Sequence, residues 1–165
     1  MEMNSERSCP SLNGIREDLQ TLRLISPAYA GREGELTAVL QYVYQSIIFE
    51  KLGDGEFSKA LLKIAVNEMH HLEILGTMIT KLGAPPVFSA CPPYPVGYYS
   101  ASCVNYTKTP RQMISADICA EENAISEYER ILLRVKNSAV AEVISFILEE
   151  EREHLRKFNE MLSKL

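Results

Sequence analysis

The chain has 165 residues, 46% apolar and 24% charged, a balance that fits one globular domain, and its net charge of -5 excludes the basic face that nucleic acid or an anionic membrane would need. No run of 18 apolar residues is present, and the start MEMNSERSCP lacks the basic end and apolar stretch of a signal peptide, so a cytoplasmic protein without a membrane span is expected. Cys9, Cys91, Cys103 and Cys119 are scattered without a C-x-x-C, which suits free thiols and excludes a Cys-rich iron or zinc site, while 19 Glu against three Asp lean the composition toward helices.

In chain order, an N-terminal segment (1–26) precedes the main domain (27–165). Leu12, Ile15, Leu19 and Leu22 give Ser11 to Leu24 the spacing of one short amphipathic helix. Ser26-Pro27 supplies an N-cap and a proline at the first helical position, and an apolar pattern runs from there to Leu52, stopping at Gly53-Asp54-Gly55. The second helix is predicted from Glu56 to Leu82, ended by Gly83 with Pro85-Pro86 just beyond. Gly83 to Lys108 holds five prolines and no helical period, with extended character at Val104-Asn105-Tyr106. Thr109-Pro110-Arg111-Gln112 reads as a capping box, and the third helix runs to about Val135. After the turn Lys136-Asn137-Ser138 the fourth helix continues to the C-terminus. Two antiparallel hairpins joined by one long link at 83–109 make an all-α four-helix bundle with a single crossover.

Each helix carries a glutamate on its apolar stripe. The stripes read Glu35, Val39, Tyr42/Val43, Ser46; Leu61, Ile64, Glu68, His71, Leu75, Met78, Leu82; Ile114, Asp117/Ile118, Glu121, Ile125, Tyr128, Leu132; and Val140, Ile144, Ile147, Glu151, His154, Phe158, Leu162. Unpaired buried carboxylates are costly and repel one another, and these stripes hold no Lys or Arg to relieve them. A pair of divalent metals does so directly, and carboxylate with imidazole suits iron, manganese or zinc. Residues three apart share a helix face, so Glu68 with His71 can reach one metal and Glu151 with His154 the other. Glu35 and Glu121 then reach across to one metal or bridge both, which also makes them the candidate catalytic carboxylates. At 1.5 Å per residue, Glu121 and Glu151 lie about 24 and 21 Å from their turn, and Glu35 and Glu68 about 28 and 21 Å from theirs. An internal repeat links the halves. Glu35-Leu-Thr-Ala38-Val-Leu-Gln-Tyr42 matches Glu121-Glu-Asn-Ala124-Ile-Ser-Glu-Tyr128, and each is followed by an E-x-x-H.

With these residues the chain resembles the ferritin-like superfamily of di-iron and di-manganese carboxylate proteins. Asn67-Glu68-Met69-His70-His71-Leu72-Glu73-Ile74-Leu75-Gly76 followed by Lys81-Leu82-Gly83-Ala84-Pro85 is similar to manganese catalases, their spore-coat relatives and rubrerythrin-like proteins. Asp117-Ile118-Cys119-Ala120-Glu121 and Glu151-Arg-Glu-His154 match the same families' second half. The extra carboxylate of rubrerythrins is absent, Ala124 standing one turn after Glu121. The resemblance covers about residues 27 to 162 and implies a ferritin-like bundle, two iron or manganese ions, and a homodimer or higher homo-oligomer.

Other residues divide between roles. Asp117 is a candidate acceptor for the second ring nitrogen of a metal-bound histidine. Tyr42 and Tyr128 read either as hydrogen-bond partners of ligands or as core aromatics. Glu122, Glu149, Glu150 and Glu153 read as a solvated polar face, His70 as a surface or supporting residue, and Cys119 as pointing away from the site. Tyr94, Tyr98, Tyr99 and Tyr106 of the crossover either cover the site or a subunit interface, or pack as surface loop. The expected activity is that of a peroxide-reactive oxidoreductase, of catalase or peroxidase type, with peroxide or dioxygen as its small-molecule partner. The alternatives are iron binding with ferroxidase activity, or a spore-associated structural protein that keeps the site.

Overall fold

The computed structural model describes residues 8–91 and 97–165. Among these residues there are five α-helices, α1 (Leu19–Ala30), α2 (Glu35–Lys51), α3 (Gly55–Lys81), α4 (Pro110–Leu132) and α5 (Ser138–Ser163), and one 3₁₀ turn at Ala101–Cys103. The β pairing among them is one isolated antiparallel bridge, Ser89 to Tyr98. Helices α2 and α3 form one hairpin and α4 and α5 the other, which is the expected four-helix bundle, and α1 packs against α2, α3 and α4.

The caps explain most boundaries. Asp54 accepts from Phe57 N at the start of α3, and Asn137 accepts from Val140 N at the start of α5. Thr109 makes no side-chain bond to the backbone; its hydroxyl donates instead to Gln112 Oε1, so the expected capping box closes between side chains.

The N-terminal region departs from expectation. The predicted first bundle helix starting at Ser26-Pro27 is two helices, and the predicted short helix at 11–24 is displaced to α1. Asp18 caps α1 by accepting from Gln20 N and Thr21 N, and Pro27 lies inside that helix. The proline is tolerated because the surrounding α1 residues Leu22, Ile25, Ala28 and Tyr29 are buried, and packing outweighs the lost backbone bond. The chain then breaks at Gly31 and Gly34. A Cβ on Gly31 would meet Pro27 O at 2.4 Å, and one on Gly34 would meet Ala28 O at 2.6 Å, so the return of the chain against α1 requires glycine at both.

The core is split into two apolar clusters. One gathers Leu22, Ile25, Tyr29, Leu75, Ile131 and Ile144 near the α1 end. The other gathers Tyr42, Phe49, Leu61, Met113, Ile114 and Phe158 at the opposite end. The buried charged residues lie between them along each helix. The crossover runs along α2: Asn105 N donates to Gln41 Oε1 (3.0 Å), Tyr106 packs edge-on against Tyr44, and Tyr99 shares a hydrogen bond with Thr37 Oγ1 (3.1 Å). Tyr98 is exposed, and Tyr94 lies outside the described residues.

Candidate metal centre

Glu35 is the first residue of α2, so the glycine turn before it sets its position. Glu68 and His71 stand one turn apart near the middle of α3, as Glu151 and His154 do on α5, and Glu121 enters from α4. All six side chains are buried, none more than 5% exposed. They form two overlapping groups, Glu35, Glu68, His71 and Glu151, and Glu68, Glu121, Glu151 and His154. Within each group the nearest donor atoms all lie within 4.8 Å of one another.

The overlap assigns different roles to the four carboxylates. Glu68 sends Oε2 to within 3.0 Å of His71 Nδ1 and Oε1 to within 2.8 Å of His154 Nδ1. Glu151 does the converse, with Oε1 2.9 Å from His71 Nδ1 and Oε2 3.1 Å from His154 Nδ1. Each of these two carboxylates therefore faces both positions, while Glu35 and Glu121 serve one each. Of the two alternatives for Glu35 and Glu121, reaching one metal or bridging both, the geometry matches the first, because the E-x-x-H helices lie at the centre of the cluster.

The donor set fits a pair of divalent transition metals. One ring nitrogen carries a single hydrogen, yet His71 Nδ1 is ringed by three carboxylates, Glu35 Oε2 completing the set at 3.7 Å. Glu68 Oε1 and Glu151 Oε1 are buried with one imidazole nitrogen each within reach, His154 Nδ1 at 2.8 Å and His71 Nδ1 at 2.9 Å, and no further partner. Buried carboxylate oxygens so sparsely paired are destabilising unless a cation takes up their remaining lone pairs.

Supporting contacts cross between the halves. Tyr42 on α2 donates to Glu121 Oε1 on α4 (2.5 Å), and Tyr128 on α4 donates to Glu35 Oε1 on α2. The E-x-x-A-x-x-x-Y repeat thus encodes a reciprocal exchange, each half's tyrosine holding the other half's glutamate. His71 Nε2 lies 2.8 Å from Glu150 Oε2, and His154 Nε2 lies 2.8 Å from Asn67 Oδ1. Both partners can only accept, so both Nε2 atoms carry hydrogen and both Nδ1 atoms are directed inward. Asn67 Nδ2 also donates to Glu150 Oε2 (3.4 Å), joining the two contacts into one chain.

Asp117 does not serve the histidines. Its Oδ1 accepts from Gln41 Nε2 and Gln45 Nε2, both at 2.8 Å, and its Oδ2 is buried without a partner. Glu150, expected on a solvated face, and Asn67 take the role foreseen for Asp117. The sequence carried a signal for them: each immediately precedes the glutamate of an E-x-x-H, at the same place in both halves. Gln41 and Gln45 were missed because amides on a helix carry no period distinct from a polar face.

Without metal the cluster sorts its protons. Burial, reinforced by the charges of Glu151 and Glu68, pushes the Glu35 and Glu121 carboxyls well above the usual range. Glu68 and Glu151 are equally buried, but the imidazolium groups beside them outweigh that burial and hold both below the usual range. Burial opposes the charge on His71 and His154, yet the carboxylates raise both, His154 to about 10. Burial pushes Asp117 up to about 7.

A cavity of about 370 Å³ between α2, α4 and the 3₁₀ turn reaches Glu35, Glu68, Glu121 and Glu151. Cys119, expected to point elsewhere, is exposed at this cavity and so does not enter the cluster.

The profile of the ferritin-like domain matches residues 32–165. A probable manganese catalase of Clostridium acetobutylicum is 27% identical over 177 residues, covering 93% of this chain and 77% of that protein. A bacterioferritin of Desulfovibrio desulfuricans is 27% identical over 155 residues, covering 92% and 80%. The crystal structure of KatB, a manganese catalase from Anabaena, superposes with a TM-score of 0.83 over 99% of this chain and 80% of that one, at 23% identity, a likeness of fold.

Proposed function

Because the chain belongs to the ferritin-like domain family, we propose that Glu35, Glu68, His71, Glu121, Glu151 and His154 hold two iron or manganese ions and that the protein is a peroxide-reactive oxidoreductase of catalase type. The observation that carries this reading is the sharing of Glu68 and Glu151 between two groups that each add one histidine and one further glutamate. The two positions are adjacent and nearly equivalent, which suits a reaction that moves two electrons in one event. The likeness to a probable manganese catalase supports the same choice. Bound as a pair, the metals supply the two-electron change by which peroxide is alternately reduced and oxidised.

The protein's own groups supply position and protons. Tyr42 and Tyr128 occupy Oε1 of Glu121 and Glu35, and Glu35 Oε2 faces His71 Nδ1 at 3.7 Å. Glu150 and Asn67 fix both rings with Nδ1 inward. The apolar clusters close the site off at both ends of the bundle, and the low polarity around the six side chains strengthens each electrostatic contact within. In the setting this reading carries, the protein is cytoplasmic and homo-oligomeric; its four cysteines are all free, as a reducing compartment allows.

Metal analysis of natively purified protein together with an oxygen electrode tests the reading. The expected result is two manganese or iron ions per chain and release of one O₂ per two H₂O₂. Metal-loaded protein that releases no oxygen would overturn it. The likeness to a bacterioferritin favours a second reading, iron oxidation and uptake, which would appear as iron bound beyond two per chain.

A further inference from the structure

The cavity above the cluster is larger than hydrogen peroxide requires. One water-sized molecule takes about 30 Å³ of liquid, so a space of about 370 Å³ holds the equivalent of roughly ten, and it falls at the lower end of small-molecule pockets. Small side chains create the space. Ala116, Ala120 and Ala124 lie at four-residue steps along one face of α4, opposite Gly34 and Ala38 on the α2 side. At its base stand Glu68 and Glu151, each almost fully buried, with Oε1 reached by a single imidazole nitrogen. One end of the cavity is therefore ionic and one wall leading to it, the alanine face of α4, is apolar, while Arg32, Glu33, Gln41, Asn105 and Asn123 line other parts of it.

We propose that this cavity admits an organic hydroperoxide, R–O–O–H, with its apolar R group against the Ala116, Ala120 and Ala124 wall and its peroxide group at the carboxylate base. The proposal rests on the peroxide-reactive reading above and names a substrate class for the same site. An organic hydroperoxide cannot become O₂ by the loss of two electrons and two protons that hydrogen peroxide undergoes, because R replaces the second O–H, so two-electron turnover at this site needs a separate reductant. The reductant of the proposed reaction is a small thiol. In the balanced reaction R–O–O–H and two R′–SH give R–OH, H₂O and R′–S–S–R′. The O–O bond breaks and the S–S bond forms, each sulfur gives up one electron, and the two thiol protons finish on the alcohol and the water.

Cumene hydroperoxide and hydrogen peroxide, each with dithiothreitol as donor, are the probes for the metal-loaded protein. The expected result is reduction of cumene hydroperoxide with a kcat/KM within tenfold of that for hydrogen peroxide. Ala116→Leu, which extends a side chain into the cavity, should lower the first value at least tenfold more than the second, in the range by which pockets reject surplus methylenes. Ala38→Leu, on the opposite wall, provides the same comparison should Ala116→Leu not fold. A second readout needs no turnover: 2-phenyl-2-propanol, the product alcohol, should bind the metal-free protein and change its tyrosine fluorescence, and either leucine variant should abolish this. Consumption of hydrogen peroxide alone, or an equal loss with both peroxides in the variants, would overturn the proposal and leave the peroxide reading intact. Consumption of neither would overturn both.

Discussion

The α2/α3 and α4/α5 hairpins present the same residues inward and different surfaces outward. Inside, each supplies one terminal glutamate, one E-x-x-H and one tyrosine that reaches into the other half. Outside, α4 and α5 carry a web of ion pairs, Arg130 with Glu127, Arg152 with Glu129 and Glu149, and Arg156 with Glu153 and Glu160. On α2 and α3 the exposed residues include Leu40, Ile47, Leu62, Val66 and Met69. Exposed ion pairs contribute little each, about 0–1 kcal/mol, so the outer faces diverge at small cost to the fold. The inner residues cannot diverge in that way, because each buried carboxylate depends on a partner from the other half. An inner asymmetry lies at the histidines: a carboxylate, Glu150, faces His71 Nε2, whereas a neutral amide, Asn67, faces His154 Nε2.

The largest effect is expected from breaking the shared carboxylates. Glu151→Gln should remove both metals, while Glu121→Gln should remove only the one beside His154. Metal content should fall from two per chain to below one in the first variant and to about one in the second. Equal losses would mean that Glu151 is not shared. The inner asymmetry gives a smaller effect. Supporting partners of this kind change metal affinity roughly 10–100-fold, so Glu150→Ala should weaken one step of a calorimetric titration by that factor and Asn67→Ala the other. Weakening of the same step by both would refute the pairing seen across the bundle.

Proton release sharpens the same comparison. In the metal-free protein two imidazolium groups and two carboxyls, one of each per half, carry the protons that cations would displace. Loading at pH 6 should release at least two protons, read by calorimetry in buffers of different ionisation enthalpy; fewer than two would contradict the assignment.

The smallest effects are those of pH on the metal-free fold. His154 is raised to about 10 from an unfolded value of about 6.5, so its stabilisation is complete below about 6.5 and is lost as pH rises through 10. Glu68 and Glu151 are lowered, so theirs is present above about 4.3 and is lost on acidification. The melting temperature should therefore peak in mildly acidic solution. Asp117, raised to about 7, loses its contribution as pH rises from about 3.9 through 7. Asp117→Asn keeps an oxygen for Gln41 and Gln45 and should raise the melting temperature at pH 8 by roughly 2–4 °C per kcal/mol recovered, with little change at pH 5. A variant that melted lower at pH 8 would show that the charged form of Asp117 stabilises the protein.

What was legible in the sequence was whatever has a period. Glu68 with His71 and Glu151 with His154 repeat at a helical step, and Glu35 and Glu121 repeat between halves. Those steps determine that each set faces inward, so the four-helix bundle and the six-residue cluster followed from spacing and the cost of burying charge. The break at Gly31 and Gly34 was hidden because Ser26-Pro27 imitates a helix start; only the burial of α1 shows that the proline lies within a helix.

The sequence by itself determined helices α3, α4 and α5, the pairing of the hairpins and which residues of the stripes turn toward the core, because these depend on neighbours three or four positions away along one chain. The tertiary structure alone decided that Glu68 and Glu151 are shared, that the tyrosines exchange between halves, and that Glu150 and Asn67, not Asp117, hold the histidines. Those contacts join residues more than 75 positions apart on different helices, where one turn of axial offset exchanges a central carboxylate for a terminal one, and no local period records that offset.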